Sequence, residues 1–250
     1  MGEMKARVRG FLPGTVRPRR ILGGPLRGMR LVTSWHDYPA GLTGWTERPL
    51  LDWFSAHVRA DETWIDIGAH YGYTAFALAR LVGERGRVFA FEPVIASAGA
   101  IDQGRVLNAL HQLTVLPFGL GAAPVLEIRR LPVTRGMADS TITGTERSSL
   151  IPVARFDWLW PLLSGTASVI HGIKIDVQGM EIDVLEGMRE SLGRWHPRLV
   201  VELHAGVSRA RVLALLAELG YSPAAVPIDP VRGEQMPLFL DDRSYAFSPI

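Results

Sequence analysis

The chain has 250 residues, and 47% of them are hydrophobic, so it is long and apolar enough to bury a substantial core and is not disordered. It contains no cysteine, which excludes disulfide bonds, thiolate nucleophiles and cysteine-based zinc sites. No run of about 18 apolar residues occurs, and the apolar stretch near the N-terminus is too short for a signal peptide. We therefore expect a cytoplasmic protein without a membrane partner.

The net charge is only +2, but positive charges concentrate at the N-terminus. Residues 1–30 contain eight lysine and arginine residues against the single acid Glu3. An anionic partner would explain this pattern, and so would a solvated, partly frayed arm. Because Phe11 is the only aromatic residue among these charges, we favour the arm and expect no nucleic-acid partner.

Helical and strand patterns alternate along the first half of the chain. Pro49 fits the first position of a helix, and Gly83 fits the residue that follows the last turn of another. In order, we predict a loose arm over 1–30, a helix over 48–58, a strand over 63–68, a helix over 73–82, a strand over 87–93, a weaker helix over 96–109 and a strand over 113–116.

The second half begins less regularly and then returns to alternation. We predict a short extra strand over 125–130, a polar loop over 132–149, a short strand and the start of a helix within 151–160, a strand over 172–177, a helix over 181–192, a strand over 198–203, a helix over 208–219 and a final pair of strands within 224–250. This order predicts an α/β fold with a mostly parallel, Rossmann-like sheet. Such sheets bind ligands at the carboxyl ends of their strands, where every motif below is placed.

The first motif follows the first strand of this sheet. Asp66 precedes Gly68, and Gly72 comes four residues after Gly68, at the start of a helix. Dinucleotide sites need tighter glycine spacing and would be repelled by the acid, whereas a cationic ligand such as S-adenosylmethionine would be attracted. The same residues would also form an ordinary strand-to-helix turn with a capping aspartate.

The second motif is Glu92, which ends the next strand 20 residues after Gly72. An acid at this distance is the expected acceptor for the two hydroxyls of a nucleotide ribose. Two charge-assisted hydrogen bonds there are worth roughly 3 kcal/mol or more. A surface acid at a strand end is the alternative explanation.

Two further strands end in ionisable residues. Lys174 lies in an apolar strand, where it needs a partner, and Asp176 follows at the tip. His204 follows the strand that contains Glu202, and it is a candidate base near neutral pH. A structural lysine–acid pair and a histidine hydrogen-bonded at a strand end are the alternatives.

The chain resembles the FkbM-type methyltransferases over about 60–240, in the segments TWIDIGAHYGYTAFALARLVGERGRVFAFEP, IKIDVQGMEIDVLEGM and PRLVVELH. This resemblance implies a class I methyltransferase fold, with a mostly parallel seven-stranded sheet, helices on both faces and an N-terminal extension. It also implies S-adenosylmethionine as the donor and, usually, a hydroxyl oxygen as the acceptor. The resemblance assigns Asp66, Gly68 and Gly72 to the donor loop and Glu92 to the ribose-binding acid. It assigns Glu202 to the acid of the late strand. The segment of this chain that matches the family's IKIDVEGAE-like motif contains Lys174, Asp176, Gly179 and Glu181.

The sequence departs from the family pattern at three places. Gln178 replaces the usual glutamate, and His70 replaces a common asparagine in the donor loop. Gly119 follows the third strand where an acid near the adenine is often found. We keep His70 and Gly119 as cofactor-binding candidates beside Asp66, Gly68, Gly72, Glu92 and Asp176.

The resemblance and the motifs together predict an O-methyltransferase for a small-molecule or sugar-containing acceptor. Asp176 and His204 are the candidate catalytic residues, with His204 preferred as the base. We expect no metal, because no second acidic ligand stands beside Asp176 in the sequence. A catalytically inactive S-adenosylmethionine-binding or scaffold protein and an N-methyltransferase are the alternatives. A nicotinamide oxidoreductase would need a different glycine motif and an active-site Tyr-x-x-x-Lys, which is absent.

We divide the chain into an arm on the substrate side, residues 1–47, and a donor-binding domain, residues 48–250. Aromatic and polar residues of the arm are expected either to line the acceptor pocket or to pack the arm onto the domain. These residues are Trp35, His36, Asp37, Tyr38 and Trp45. Because such arms often exchange between neighbouring chains, a homo-oligomer is possible.

Overall fold

The computed structural model describes residues 11–140, 148–164, 169–230 and 240–250. The strands are β1 Arg17–Arg20, β2 Arg30–Thr33, β3 Thr63–Ile67, β4 Arg87–Phe91, β5 Leu113–Leu116, β6 Gly119–Leu120, β7 Glu127–Thr134, β8 Met137–Ala138, β9 Ser148–Ala154, β10 Gly172–Ile175, β11 Arg198–Leu203, β12 Val226–Pro227 and β13 Arg243–Phe247. The helices are α1 Pro39–Thr43, α2 Arg48–His57, α3 Tyr73–Val82, α4 Ile95–Leu107, α5 Phe156–Ser164, α6 Glu181–Glu186, α7 Arg189–Trp195 and α8 Arg209–Glu218.

The main sheet has seven strands in the order β12-β13-β11-β10-β3-β4-β5. The five strands from β11 to β5 are parallel, and β13 joins β11 and β12 in antiparallel pairing. This confirms the predicted class I methyltransferase fold, including the seven-stranded, mostly parallel sheet.

Alternating side chains of the strands build two cores, one on each face of the sheet. In β3, Trp64 packs with α2 and α3, whereas Ile65 and Ile67 pack on the opposite face with α5 to α8. Because successive residues of a strand point to opposite faces, a continuous apolar run is needed where helices cover both. The helices on both faces confirm that part of the prediction.

The chain order reverses between β3 and β10. From β3 the chain adds β4 and β5 on one side, and then returns to place β10 and β11 on the other. At such a switch point the loops that follow two neighbouring strands separate in opposite directions, which leaves a crevice at their carboxyl ends. The predicted donor loop and Asp176 lie on the two sides of this crevice.

The helix predicted over 181–192 is interrupted, and α6 and α7 replace it. A Cβ atom at Gly187, between the two helices, would lie 2.1 Å from the carbonyl oxygen of Gly121, so only glycine fits at this position. The carboxylate of Asp157 accepts hydrogen bonds from the backbone N–H groups of Glu190 and Ser191. This carboxylate therefore provides the N-terminal cap of the second helix from another element.

A smaller sheet in the order β6-β9-β7-β8 includes parts of the loop predicted over 132–149. The predicted short strand over 125–130 extends to Thr134, and β9 begins at Ser148. Leu131 and Val133 pack against Val94 and the apolar residues of β9, which explains why this polar stretch is sheet. Residues 141–147 of the predicted loop lie outside the described residues.

The N-terminal extension is ordered over residues 17–33, where the sequence predicted a loose arm. β1 and β2 form an antiparallel hairpin, and Ile21, Leu26, Leu31 and Leu42 join the core that α2 and α3 share. Burial of these four side chains stabilises the packed hairpin over a frayed arm. Residues 1–10 lie outside the described residues, and in the described part no helix has the length and apolar character to cross a membrane.

Candidate active site

A cavity of about 300 Å³ opens at the carboxyl ends of β3, β4, β10 and β11. The N-terminal extension contributes one wall, which includes Tyr38 and Glu47. Residues of β7, β8 and β9 form its roof. We call the part beside β3 and β4 the donor end, and the part beside the tips of β10 and β11 the acceptor end.

A tight bend of the backbone after β3 forms the floor of the donor end. Gly68 has φ +81°, and a Cβ atom there would lie 1.7 Å from the carbonyl oxygen of Asp176. The N–H groups of Gly68 and Ala69 both donate to the carbonyl of Phe91. Glycine is therefore required at position 68, because any side chain would collide with the tip of β10.

Glu92 is fixed at the donor end by two backbone hydrogen bonds. Its Oε2 accepts from the N–H of His70 at 2.7 Å, and its Oε1 accepts from the N–H of Val94 at 2.9 Å. Burial raises the pKa of Glu92 to about 8, although these hydrogen bonds and Lys174 act in the opposite direction. Each oxygen keeps a lone pair that a ribose hydroxyl can reach.

His70 links the donor loop to the roof. Its Nε2 lies 3.0 Å from the carbonyl oxygen of Arg135, so this nitrogen carries the proton and donates. Burial lowers the pKa of His70 to about 4, which keeps the ring neutral. Its ring centroid lies 4.9 Å from that of Tyr38 in an edge-to-face contact.

Lys174 occupies the boundary between the two ends. Its Nζ lies 3.3 Å from Asp66 Oδ1 and 3.3 Å from Asp176 Oδ2, and it donates to the carbonyl of Gly68 at 3.1 Å. Burial alone would lower the pKa of Lys174, but the adjacent carboxylates raise it well above its usual range. The carboxylates of Asp66 and Asp176 therefore share the positive charge of the Lys174 ammonium.

The cavity wall contains five of the seven cofactor-binding candidates. Asp66 is fully buried behind the wall, where Thr74 Oγ1 donates to its Oδ2 at 2.7 Å and Lys174 is its ion-pair partner. Gly72 begins α3 and faces the core side chains of Ile101 and Phe76. The residues on the wall are Gly68, His70, Glu92, Gly119 and Asp176.

His204 lies just behind the wall of the acceptor end, outside the residues that line the cavity, and is held by two partners. Its Nδ1 lies 2.6 Å from Oε1 of the buried Glu181, and its Nε2 lies 2.8 Å from Nε2 of Gln178. The neutral ring donates to Glu181 and accepts from the Gln178 amide, whereas the protonated ring requires the amide oxygen to face it. Nε2 is also 3.6 Å from both Asp176 Oδ1 and Glu202 Oε1.

The carboxylates around His204 change its protonation. Burial lowers its pKa, but the hydrogen bond to Glu181 and the charges of Asp176 and Glu202 raise it to about 9. The sequence predicted that His204 is a base near neutral pH. With this raised pKa, the ring is instead mostly protonated at neutral pH. Burial and repulsion from Asp176 raise the pKa of Glu202 to about 7. Burial opposes the ionisation of Asp176, but Lys174 and His204 lower its pKa.

Asp176, Glu202 and His204 also form a possible metal-binding group. One ligand atom from each lies within 4.8 Å of the others. The sequence offered no second ligand beside Asp176, because Glu202 and His204 come from a different strand. The fold brings all three together beside the Lys174 ammonium.

Two acidic residues that sequence reasoning did not place in the site belong to it. Glu47 precedes α2, has φ 52° and lines the cavity, and burial and the charge of Asp176 raise its pKa. A non-glycine residue in this conformation often marks a functional position, but the sequence gives no sign of it. Glu181 appeared only as part of the family segment, and the structure makes it the partner of His204.

The aromatic and polar residues of the extension differ in their positions, because some line the cavity and others do not. Asp37 and Tyr38 line the cavity. Trp35 packs against the core, whereas Trp45 is 67% exposed. His36 lies 3.0 Å from the carboxylate of Asp37.

The profile of the Methyltransferase FkbM domain matches residues 66–223. The chain belongs to the FkbM methyltransferase family. It is 29% identical over 160 residues to the hexuronic acid methyltransferase AglP of Haloferax volcanii, an alignment that covers 63% of this chain and 62% of that protein. The chain thus spans less than two thirds of this curated relative.

Solved structures also resemble this FkbM methyltransferase. A putative methyltransferase from Streptococcus mutans in complex with SAH has a TM-score of 0.50 and 12% identity, with 82% of this chain and 100% of that chain covered. Methyltransferase FkbM from Methylobacillus flagellatus has a TM-score of 0.48 and 18% identity, with coverage of 79% and 50%. The similarity to the Streptococcus mutans structure supports the assignment of the fold.

The donor of this methyltransferase is S-adenosylmethionine, and the residues of the donor end fit it. Glu92 presents a fixed carboxylate suited to ribose hydroxyls. Phe118, Gly119 and Leu120 provide a mostly apolar wall suited to an adenine ring. When bound, this donor would supply a methyl group on a positively charged sulfur, and the carboxylates around Lys174 would favour that charge.

Proposed function

We propose that this enzyme transfers the methyl group to a hydroxyl oxygen of a sugar-containing small molecule. The observation that carries the proposal is the position of Asp176 on the wall of the acceptor end, with His204 Nε2 directly behind it at 3.6 Å from Asp176 Oδ1. A hydroxyl acceptor must lose a proton, and both residues have a nitrogen or oxygen atom that can receive it. The similarity to a protein named as a hexuronic acid methyltransferase supports a sugar-like acceptor.

In the proposed mechanism, His204 is the base and Asp176 orients the acceptor. Glu181 holds the Nδ1 proton, so Nε2 takes the hydroxyl proton, which requires the acceptor to displace the Gln178 amide from Nε2. Asp176 stays ionised beside Lys174 and accepts a hydrogen bond from the acceptor. The roof and the wall with Tyr38 exclude water and align the acceptor oxygen with the methyl carbon, which is worth several kcal/mol, up to roughly 7–11.

The proposal is tested with a panel of acceptors that includes uronic acids, neutral sugars, polyols and phenols. Formation of S-adenosylhomocysteine identifies the substrate class. The His204→Ala variant is expected to lower turnover by about 10²- to 10⁴-fold. Its S-adenosylmethionine dissociation constant is expected to stay unchanged, because His204 lies at the other end of the cavity. Full turnover in this variant would remove His204 from the mechanism.

One observation favours an amine as an alternative acceptor. Glu47, Asp176 and Glu202 line the same cavity and share the single ammonium of Lys174, so a further cation would be attracted there. An N-methyltransferase would methylate amino sugars or alkylamines in the same panel and leave their hydroxyl-only counterparts unmodified. We rank the inactive scaffold below both, because the donor bend and Glu92 are intact.

We propose that the acceptor end works without a divalent cation, since Lys174 already provides a positive charge next to Asp176. Cytoplasmic location, a possible homo-oligomer and the boundary at residue 47 remain predictions. Cell fractionation, solution mass measurement and limited proteolysis test them in that order.

A further inference from the structure

An exposed surface at the turn of the β1–β2 hairpin combines positive charge with large apolar side chains. We call it the hairpin surface, and its central members are Arg20, Leu22, Arg27, Arg30 and Trp45. Leu22 is 59% exposed and Trp45 is 67% exposed. Neither the donor end nor the acceptor end of the cavity uses these five side chains.

The positive charge of the hairpin surface is not balanced. The sequence from residue 11 to residue 36 contains five arginines and no acidic residue. Arg20 and Arg30 are paired directly opposite each other in the hairpin. Like charges in this position repel. Within the described ranges, neither of them nor Arg27 forms an ion pair, so an anionic partner would relieve the repulsion.

The apolar members of the surface lie together with these charges. Leu22 N donates to the carbonyl of Leu42, which brings the hairpin turn next to the segment that contains Trp45. A Cβ atom at Gly23 would lie 3.2 Å from Trp45 Nε1. The indole ring therefore leans on the hairpin turn and keeps most of its area in solvent.

The hairpin surface adjoins the cavity. The segment that contains Trp45 lines the cavity at both of its ends, through Tyr38 to Ala40 and through Glu47. The hydroxyl of Tyr73, another lining residue, donates to the carbonyl of Gly44 at 3.2 Å. A partner bound at Trp45 would therefore lie next to the cavity wall.

We propose that the hairpin surface docks onto an anionic phospholipid membrane. The arginines contact the lipid phosphates, while Leu22 and Trp45 enter the headgroup region, where amphipathic aromatic rings are favoured. A nucleic acid would match the charge, but it would leave the exposed aliphatic side chain of Leu22 without a partner. A lipid-linked acceptor would then reach the cavity from the membrane, a step that rests on the proposed methyl transfer.

The test is sedimentation of the full chain with vesicles. We expect binding to phosphatidylcholine vesicles that contain about 30% phosphatidylglycerol, and none to phosphatidylcholine alone. Raising NaCl from about 50 to about 300 mM should weaken the binding. The double variants Arg20→Glu/Arg27→Glu and Leu22→Ser/Trp45→Ser should each reduce partitioning by about tenfold or more.

The matched control is Arg87→Glu/Arg194→Glu, which changes the net charge equally at exposed positions outside the hairpin surface. This variant should bind vesicles like the native protein. The S-adenosylmethionine dissociation constant of every variant should be unchanged, which shows that each variant folds and separates this result from the methyl-transfer proposal. The proposal is overturned if the native protein does not bind anionic vesicles, or if the control variant loses as much vesicle binding as the hairpin variants. Stronger binding to RNA than to vesicles would also overturn it. So would a dimer of the native protein that the Leu22→Ser/Trp45→Ser variant cannot form.

Discussion

At the donor end, Glu92 is held by the backbone N–H groups of His70 and Val94, whereas at the acceptor end His204 is held by the side chains of Glu181 and Gln178. The donor end is thus fixed by main-chain geometry that few substitutions can change. The acceptor end depends on side chains whose charge varies with pH and with mutation. This difference suits a fold that binds one constant donor and must adapt to different acceptors.

The largest expected effect comes from Gly68→Ala, which tests whether main-chain geometry defines the donor end. The added Cβ atom would lie 1.7 Å from a backbone oxygen, so we expect a loss of more than about 4 kcal/mol in the free energy of unfolding and no donor binding. Gly206→Ala is the control, because Gly206 has φ +84° with open space around its Cβ position. It should cost about 1–3 kcal/mol, as measured by denaturant unfolding. If both variants lose the same free energy of unfolding, glycine is required at position 68 by its positive φ alone and not by the close approach of β10.

A smaller effect is expected from Glu92→Ala, which removes the carboxylate but keeps the hydrogen bonds of Gly68 and Ala69 to Phe91 that form the bend. Removing the carboxylate should weaken S-adenosylmethionine binding by about tenfold or more in calorimetry. The exposed Glu84 lies on the turn after α3, and Glu84→Ala should leave the dissociation constant unchanged. An unaltered constant in Glu92→Ala would remove Glu92 from the ribose-binding role.

Glu181→Gln tests the claim that side-chain charges define the acceptor end. The native enzyme should gain turnover as the pH rises towards about 9, because His204 must lose its proton to act as the base. The substituted amide would still accept the Nδ1 hydrogen bond but would lack the charge, so the rise should move to lower pH. If Glu181 had a purely structural role, the substitution would change the maximum turnover but would not shift the dependence of turnover on pH. Glu218→Gln, an exposed acid on α8, is the control.

The same raised pKa links stability to pH. The folded-state pKa of His204 lies above its ordinary value of 6.5, so protonation stabilises the fold fully below about pH 6.5. This contribution is lost as the pH rises through about 9. In Glu181→Gln, thermal denaturation should show a smaller loss between pH 6.5 and 9 than in the native protein. An identical loss in the two proteins would mean that Glu181 does not raise this pKa.

The smallest expected effect is that of removing divalent cations. If Lys174 supplies the positive charge beside Asp176, dialysis against a chelator should leave turnover and the melting temperature unchanged. The assay compares chelated enzyme with enzyme resupplied with Mg²⁺ or Mn²⁺. Activity that is lost and then restored by either ion would assign Asp176, Glu202 and His204 to a metal site instead.

The donor end could be predicted from the sequence because its parts lie within one strand–turn–helix–strand unit. Gly68 and Glu92 fall at the ends of two neighbouring strands, and the parallel sheet places those ends together. The role of Asp66 was harder to anticipate. Sequence spacing places it near the donor, but the side-chain direction turns it towards Thr74 and Lys174, behind the wall.

The acceptor end could be predicted only in part, because its residues come from separate segments. Asp176 and His204 follow strands, whereas Glu47 comes from the N-terminal extension and no pattern connects it with them. The pKa of His204 depends on the buried Glu181, whose position is set by packing of the broken α6–α7 pair. The second half of strand β7 escaped prediction because its pairing with β9 joins residues that are distant in the sequence, which local patterns do not record.

One turn of the roof is held through two of its carbonyl groups, one by the donor loop and the other by α4. The ring of His70 holds the carbonyl of Arg135, and the hydroxyl of Ser97 holds that of Gly136 at 2.7 Å. Two such bonds are worth about 2 kcal/mol together. Lifting of this turn would open the donor end from above while the parallel strands beneath stay in place.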